Sequence, residues 1–159
     1  MPRFPQKSQY KKCETRVIFL LRSPRSMEFY IGHCKPDSLM PIFRQHCAGD
    51  RYHTNVCFLS LKQQGLHPCL TILEEINSTQ VEAYTHVIAW TKLFVEEGYI
   101  SLNRGNIMDY IDDLFAKSQA VYNEFKNSDL KEICNCKNCI VKTYGRKQCP
   151  FYSGDINEK

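Results

Sequence analysis

Two short apolar segments separated by a turn lie near the start of this chain, and they restrict the folds that the chain can adopt. Residues 15–23 read TRVIFLLRS, and an apolar run of this length, followed by turn-forming residues, predicts a buried strand. The tetrapeptide SPRS at 23–26 predicts the turn. The next segment, MEFYIGHC at 27–34, predicts a second strand, and the two strands can pair as a β-hairpin.

Helical patterns follow the hairpin. The stretch KPDSLMPIFRQHC at 35–47 predicts a short helix, with Asp37 or Ser38 as its N-cap. Pro41 is compatible with this helix only in the first turn, where no backbone N–H is needed. The next apolar stretch, VCFLSLKQQ at 56–64, fits a helix or a strand, and we favour the helix.

A third strand and the clearest helix of the chain come next. CLTILEEI at 69–76 predicts the strand. The segment from 77 to 99 predicts a long helix, because Thr79 and Glu82 have the spacing of a capping box. Gly98 stands where a helix C-cap belongs, so this residue predicts the end of the helix.

Composition divides the chain into four parts. An apolar stripe from 106 to about 126 predicts one more helix, and the sequence after it is rich in cysteine and basic residues. We therefore predict the following organisation: a flexible basic arm at 1–14, a main domain at 15–104, a C-terminal helix at 105–128, and a cysteine-rich tail at 129–159.

Bulk properties exclude several classes of protein. The longest apolar run, VIFLL at 17–21, is far shorter than the ~20 residues that cross a bilayer. The N-terminus lacks the apolar core of a secretory signal. Nine cysteines without such a signal favour free thiols in a reducing compartment over a disulfide framework. We predict an intracellular protein without a membrane partner. Its net charge of +4 is compatible with nucleic acid as a partner but does not require it.

Three motifs stand in a fixed order along residues 15–104. Tyr30, Ile31 and Gly32 form YIG; Asn55 is followed by LKQQGLHPCLTILEEI; and EAY, W and EEGYISLN close the series. In this order they resemble the GIY-YIG nuclease family. The resemblance implies an α+β fold built on a small three-stranded antiparallel sheet flanked by helices.

The resemblance also implies a catalytic set of two tyrosines, an arginine, an asparagine and a glutamate that holds Mg²⁺ or Mn²⁺. Tyr30 and Asn103 match this set. The other positions carry apolar residues: the first tyrosine falls on Phe19, the glutamate on Val87, and the arginine on Met40 or Ile42. Losing the hydroxyl, the carboxylate and the guanidinium together predicts a degenerate member without catalysis, because nothing remains to hold a hard cation.

Two alternatives stay open. An active divalent-metal endonuclease that cleaves DNA could use a rearranged site of Tyr30, Arg44, Glu82 and Asn103. We favour a simpler role for Glu82, as the capping partner of Thr79. Tyr30 could likewise be an ordinary half-buried strand residue. The second alternative is a module that binds another protein.

Basic residues recur along the chain, with tyrosines between them. The pattern suits contact with a phosphate backbone together with base stacking, and DNA is favoured over RNA as the ligand. Equally, these residues could form solvated faces and a floppy arm. The predicted contacts are Lys11, Lys12, Arg16, Arg22, Arg25, Arg44, Lys142, Arg146 and Lys147.

The tail contains a candidate metal site. Cys134, Cys136, Cys139 and Cys149 have the spacing C-x-C-x₂-C-x₉-C, and four thiolates complete the tetrahedral shell of a structural zinc ion. We therefore predict a zinc-knuckle-like module. An iron–sulfur cluster uses the same ligands, and free thiols are the remaining alternative. The five histidines show no metal-ligand spacing among themselves.

Overall fold

The computed structural model describes residues 12–51, 53–103, 113–133 and 139. Within these residues the chain forms an α+β fold, as the sequence predicts. Its elements are β1 (Glu14–Arg22), β2 (Glu28–Cys34), a 3-10 turn (Pro36–Ser38), α1 (Leu39–Ala48), α2 (Asn55–Gln63), β3 (Cys69–Ser78), α3 (Gln80–Glu96), β4 (Ile100–Ser101), α4 (Asp113–Phe125) and α5 (Leu130–Ile133).

The sheet has the strand order β3-β1-β2-β4. Strand β1 pairs with both β2 and β3 in antiparallel fashion. The predicted hairpin is therefore confirmed, and its turn is closed by the Ser23 N–H, which donates to the Glu28 carbonyl at 3.0 Å. In the hairpin register, Phe19 stands opposite Gly32 and Leu21 stands opposite Tyr30.

The prediction of a three-stranded antiparallel sheet is wrong by one short strand. Strand β4 follows the turn at Gly98, whose φ of 98° lies in the left-handed region that favours glycine. It pairs parallel to β2, with Ile100 beside Glu28. The described sheet is therefore mixed. The physical reason is that a two-residue strand carries no alternating pattern in the sequence, so only its tertiary position identifies it.

The predicted helices are present among the described residues. Helix α1 begins after Ser38, which makes no side-chain capping bond. The ambiguous stretch at 55–63 is helix α2, as favoured. At the start of α3, the Glu82 N–H donates to the Thr79 hydroxyl at 3.1 Å, which confirms the predicted cap. The predicted final helix is described as α4 from Asp113 onward.

Side chains alternate between the two faces of the sheet along each strand, so the strands present apolar side chains on both faces. Helices cover both of these faces. We call one side the α3 face; its core contains Ile18, Leu20, Phe29, Ile31, Ala83, Val87, Trp90, Leu93, Phe94 and Leu130. We call the other side the α1–α2 face; its core contains Val17, Phe19, Leu21, Cys34, Leu39, Phe43, Phe58, Leu61 and Leu70.

No helix in the described part of the chain is long and apolar enough to cross a membrane. None of the six described cysteines is in a disulfide. Several predictions fall outside the described residues: most of the basic arm, the start of the C-terminal helix, and the tail beyond 133 except for Cys139.

Candidate functional site

Tyr30 lies on β2 and points into the α1–α2 face, where it is half-buried. Its ring centroid is 4.9 Å from that of His46 and 6.2 Å from that of Phe19. Burial raises the pKa of Tyr30 above its ordinary value, and the nearby charge of Arg51 partly opposes this rise. At neutral pH the phenol therefore keeps its proton, so it can donate a hydrogen bond but cannot act as a base.

His46, at the end of α1, is buried with its neighbour Thr54. The His46 Nδ1 and the Thr54 hydroxyl are hydrogen-bonded at 2.6 Å, which ties α1 to the start of α2. Burial lowers the pKa of His46 to about 4, and Arg51 and His53 act in the same direction. His46 is thus a neutral, packed histidine that solvent hardly reaches.

The two apolar replacements of the resemblance are core residues. Phe19 is 2% exposed and Val87 is 6% exposed. Phe19 lies against Gly32, where an added Cβ would stand 2.8 Å from the Phe19 Cζ atom. Val87 lies in the core of the α3 face, on the opposite side of the sheet from Tyr30. Neither position offers a polar atom to a ligand.

Arg44 and Glu82 are both exposed. Arg44 lies on α1, whereas Glu82 lies in the first turn of α3, the helix that covers the other face. The Glu82 backbone serves the Thr79 cap. The structure therefore places these two residues of the rearranged-site alternative on elements that pack on opposite faces of the sheet.

Asn103 acts on the backbone of β2. Its side-chain Nδ2 donates to the Ile31 carbonyl at 2.7 Å, and its Oδ1 accepts from the Ile31 N–H at 3.0 Å. These bonds continue the edge of the sheet where β4 ends, since an asparagine amide offers one donor and one acceptor just as a peptide group does. The match of Asn103 to the family therefore has a structural explanation.

The acidic residues of β3 also have structural partners. The Glu74 carboxylate accepts a hydrogen bond from the Trp90 indole at 2.8 Å, and the His86 Nδ1 lies 2.7 Å from the same oxygen. Across the described ranges, no group of three or more His, Cys, Asp and Glu side chains could hold a metal ion. The residues predicted to hold Mg²⁺ or Mn²⁺ thus do not form a ligand set there.

Three of the four cysteines of the predicted zinc site lie outside the described residues. These are Cys134, Cys136 and Cys149, whereas Cys139 is buried. The zinc ion and its alternatives therefore stay predictions.

The predicted nucleic-acid contacts occupy very different environments. Lys12, Arg25 and Arg44 are exposed, whereas Arg16 and Arg22 are buried. The Arg22 guanidinium lies over the ring of Tyr99, 4.9 Å from its centroid, and so has little surface to offer. The predicted contacts are also spread along β1, since Lys12 precedes this strand and Arg25 follows it. Because β1 has nine residues, its two ends are roughly 25 Å apart. Lys11, Lys142, Arg146 and Lys147 lie outside the described residues.

Arg51 is the residue that sequence reasoning missed. It lies in the connection between α1 and α2, just after Gly49, which ends α1 with a φ of 79°. Arg51 is half-buried, and its Nε atom is buried without a hydrogen-bond partner in the described part of the chain. Its charge influences Tyr30, Cys34 and His46. A lone arginine in a connecting loop gives no sequence signal that could have identified it.

Comparisons with known proteins add no relative. No family model, curated protein or solved structure matches this chain.

Proposed function

We propose that this chain is a GIY-YIG-like domain that has lost catalysis and binds nucleic acid, with DNA favoured over RNA. The observation that carries the proposal is Arg51, whose buried Nε lacks a hydrogen-bond partner among the described residues and whose charge acts on Tyr30, while the positions for the second tyrosine and the glutamate hold buried Phe19 and Val87. This arrangement supplies groups that bind a phosphate and omits groups that cleave it.

The chemistry of the site supports binding. A guanidinium makes bidentate, charge-assisted hydrogen bonds to phosphate oxygens, and Arg51 has a buried Nε without a partner among the described residues. Tyr30 keeps its phenolic proton because burial raises its pKa. It therefore adds one further donor. An electropositive site with fixed donors suits a phosphodiester, whose oxygens only accept hydrogen bonds.

The same chemistry argues against cleavage. Hydrolysis needs a base that activates water and a cation that stabilises the leaving oxygen. Tyr30 is protonated, and His46 is buried and bonded to Thr54. Phe19 and Val87 replace the hydroxyl and the carboxylate that the resemblance requires.

The test measures binding and cleavage on the same substrates. Wild-type protein and Arg51→Gln are titrated against fluorescent single-stranded, branched and duplex DNA and against RNA, at several salt concentrations. We expect Arg51→Gln to weaken DNA binding about tenfold and to lower the slope of log K against log salt by about one. Lys126→Gln is the control, since it removes one exposed positive charge just after α4, the helix that packs on α3, and Lys126 is not among the predicted contacts.

Cleavage is followed in parallel with added Mg²⁺ and Mn²⁺. We expect none. Cleavage abolished by Glu82→Ala would establish the endonuclease that uses Tyr30, Arg44, Glu82 and Asn103. Absence of binding to every nucleic acid would leave a protein partner as the function.

We further propose that the tail holds a structural zinc ion. Cys134, Cys136, Cys139 and Cys149 supply four thiolates, and a closed shell of this kind stabilises a fold without taking part in chemistry. Metal analysis of the purified chain should find about one equivalent of zinc. The Cys134→Ser, Cys139→Ser double variant should lose it, and unchanged metal content would contradict the zinc site.

A further inference from the structure

Three cations surround a single carboxylate at the start of β1. The Glu14 carboxylate lies 3.2 Å from the Lys12 ammonium, 3.3 Å from the Arg16 guanidinium and 3.4 Å from the Lys35 ammonium. We call these four residues the Glu14 cluster. Glu14 and Arg16 lie at the start of β1, Lys12 precedes that strand by two residues, and Lys35 directly follows β2.

The cluster has more positive charge than its carboxylate can neutralise. Three cations face one anion, so the local sum is +2 at neutral pH. Lys12 and Lys35 leave 71% and 59% of their side chains exposed, which turns this charge toward solvent. Exposed cations that share one counterion attract further anions from solution.

Arg16 is the buried member of the Glu14 cluster. It is 9% exposed, and its Nε atom is buried without a hydrogen-bond partner in the parts of the chain that the structure describes. A buried guanidinium donor that lacks an acceptor carries an energetic cost. The Glu14 carboxylate meets only one of its terminal nitrogens, at 3.3 Å. Arg16 therefore retains capacity to bind an acceptor with more oxygens.

The surroundings of Arg16 also connect it to the Tyr30 region. The charge of Arg16 acts with burial to lower the pKa of His33 to about 4, so His33 is neutral and does not add a competing charge. Arg16 lies beside the end of β2, since its neighbour Val17 pairs with Cys34. The charges of Arg16 and Arg51 both oppose the raised pKa of the Cys34 thiol, so both act on this strand end.

We propose that the Glu14 cluster binds a phosphate group and that Glu14 is an internal substitute for it. On binding, a phosphate of the nucleic-acid backbone displaces the Glu14 carboxylate and takes its place among Lys12, Arg16 and Lys35. The carboxylate keeps the buried guanidinium paired in the free protein and lowers the affinity for the incoming anion. This inference rests on the proposed function for the nucleic-acid source of the phosphate, but not for the anion site itself.

The proposal predicts an unusual direction for the change in binding affinity. Removing a charged residue from a binding site normally weakens binding, whereas removing a competing carboxylate strengthens the binding of an anion. We expect Glu14→Gln to tighten binding of single-stranded DNA about tenfold, and Lys35→Gln to weaken it about fivefold. Lys35 suits this test because it is exposed, so its replacement leaves the core intact.

Matched controls separate the cluster from general electrostatics. Glu124→Gln removes one exposed negative charge on α4, away from the Glu14 cluster, and should leave affinity within about twofold. Each variant's thermal unfolding is recorded, because Glu14→Gln removes the carboxylate beside Arg16 and can lower stability. Affinities are then compared at a temperature where every variant is folded. Equal or weaker DNA binding by folded Glu14→Gln would overturn the proposal.

A second probe separates the two proposals. Pyrophosphate binding is measured by calorimetry on the wild-type chain, Glu14→Gln and Lys35→Gln. If no nucleic acid binds but Glu14→Gln binds pyrophosphate more tightly than the wild type, the proposed function fails and the anion site stands, with a free phosphate compound as its ligand. If DNA binds with an affinity that neither Glu14→Gln nor Lys35→Gln changes, the function stands and the Glu14 cluster is not part of its site. If neither probe binds, both proposals fail.

Discussion

The two faces of the sheet bury very different chemistry. Polar groups around the apolar core of the α3 face contact aromatic rings or one another: the Glu74 carboxylate accepts from Trp90 beside His86, and the His33 ring centroid lies 4.5 Å from that of Tyr84. The α1–α2 face instead buries His46 with Thr54 next to a half-buried Tyr30. Buried polar groups cost free energy unless they are hydrogen-bonded.

The charge of Arg51 acts on polar groups of the α1–α2 face, because it opposes the raised pKa of Tyr30 and adds to the lowered pKa of His46. Groups whose pKa values are shifted by burial and by a specific charge often mark a binding site. We therefore expect a charged ligand on the α1–α2 face, whereas the apolar core of the α3 face contributes to stability through packing.

The largest expected effect compares one phenylalanine from each face. Phe29 and Phe58 are both fully buried; Phe29 packs on Phe94, with ring centroids 5.2 Å apart, and Phe58 packs on His46 at 6.0 Å. Either change to alanine should lower the free energy of unfolding by about 3–5 kcal/mol in urea titrations. Only Phe58→Ala should also weaken DNA binding by the folded protein, because it supports His46 beneath Tyr30. Equal losses of affinity would show that the two faces do not divide these roles.

Acid should destabilise the protein through its buried histidines. His46 and His33 have pKa values lowered from 6.5 to about 4 in the folded protein. Between pH 6.5 and pH 4 these histidines bind protons in the unfolded chain but not in the folded chain. The free energy of unfolding is therefore highest above pH 6.5 and falls as the pH drops toward 4. For the fully buried His46 the loss should be about 3 kcal/mol.

Urea titrations across this pH window measure the effect. His46→Gln should flatten the dependence and leave the part that His33 contributes. A wild-type stability that is constant from pH 7 to pH 4 would contradict the assignment of His46 as a neutral core residue.

The smallest expected effect concerns the glycine of the YIG motif. A Cβ at Gly32 would stand 2.8 Å from the Phe19 Cζ and 3.0 Å from the Tyr30 Cε1, so Gly32→Ala should cost about 1–3 kcal/mol of stability through overpacking. In a Phe19→Leu background the same change should cost less, because the obstructing ring is gone. A double-mutant cycle measures this coupling, and a cost that Phe19→Leu does not alter would place the strain elsewhere.

Much of the fold follows from local patterns. The hairpin, α2, β3 and α3 are predicted correctly because apolar periodicity and capping residues act within a few positions of the chain. The Thr79 cap is an example, since its partner Glu82 is three residues away. Strand β4 escapes this reasoning because two residues are too few to show a period, and its pairing depends on Met27, whose carbonyl accepts from the Ile100 N–H at 2.9 Å.

The candidate site is less accessible to sequence reasoning. The resemblance points to Tyr30 and Asn103 and predicts apolar residues at Phe19 and Val87, which the structure buries. It does not find that Asn103 bonds to Ile31, 72 positions away, or that the charge of Arg51 acts on Tyr30. It also cannot tell the exposed arginines, Arg25 and Arg44, from Arg22, which is buried under Tyr99.

The sequence by itself determined where most strands and helices form and which positions carry apolar rather than reactive side chains, because those properties belong to single residues and short windows. Only the tertiary structure decided which charges meet. Lys12 and Arg16 are close to Glu14 in the chain, but Lys35 meets Glu14 only because β1 and the end of β2 lie side by side. Electrostatic interaction depends on distance in space, and pairing between strands brings together residues that the chain order keeps apart.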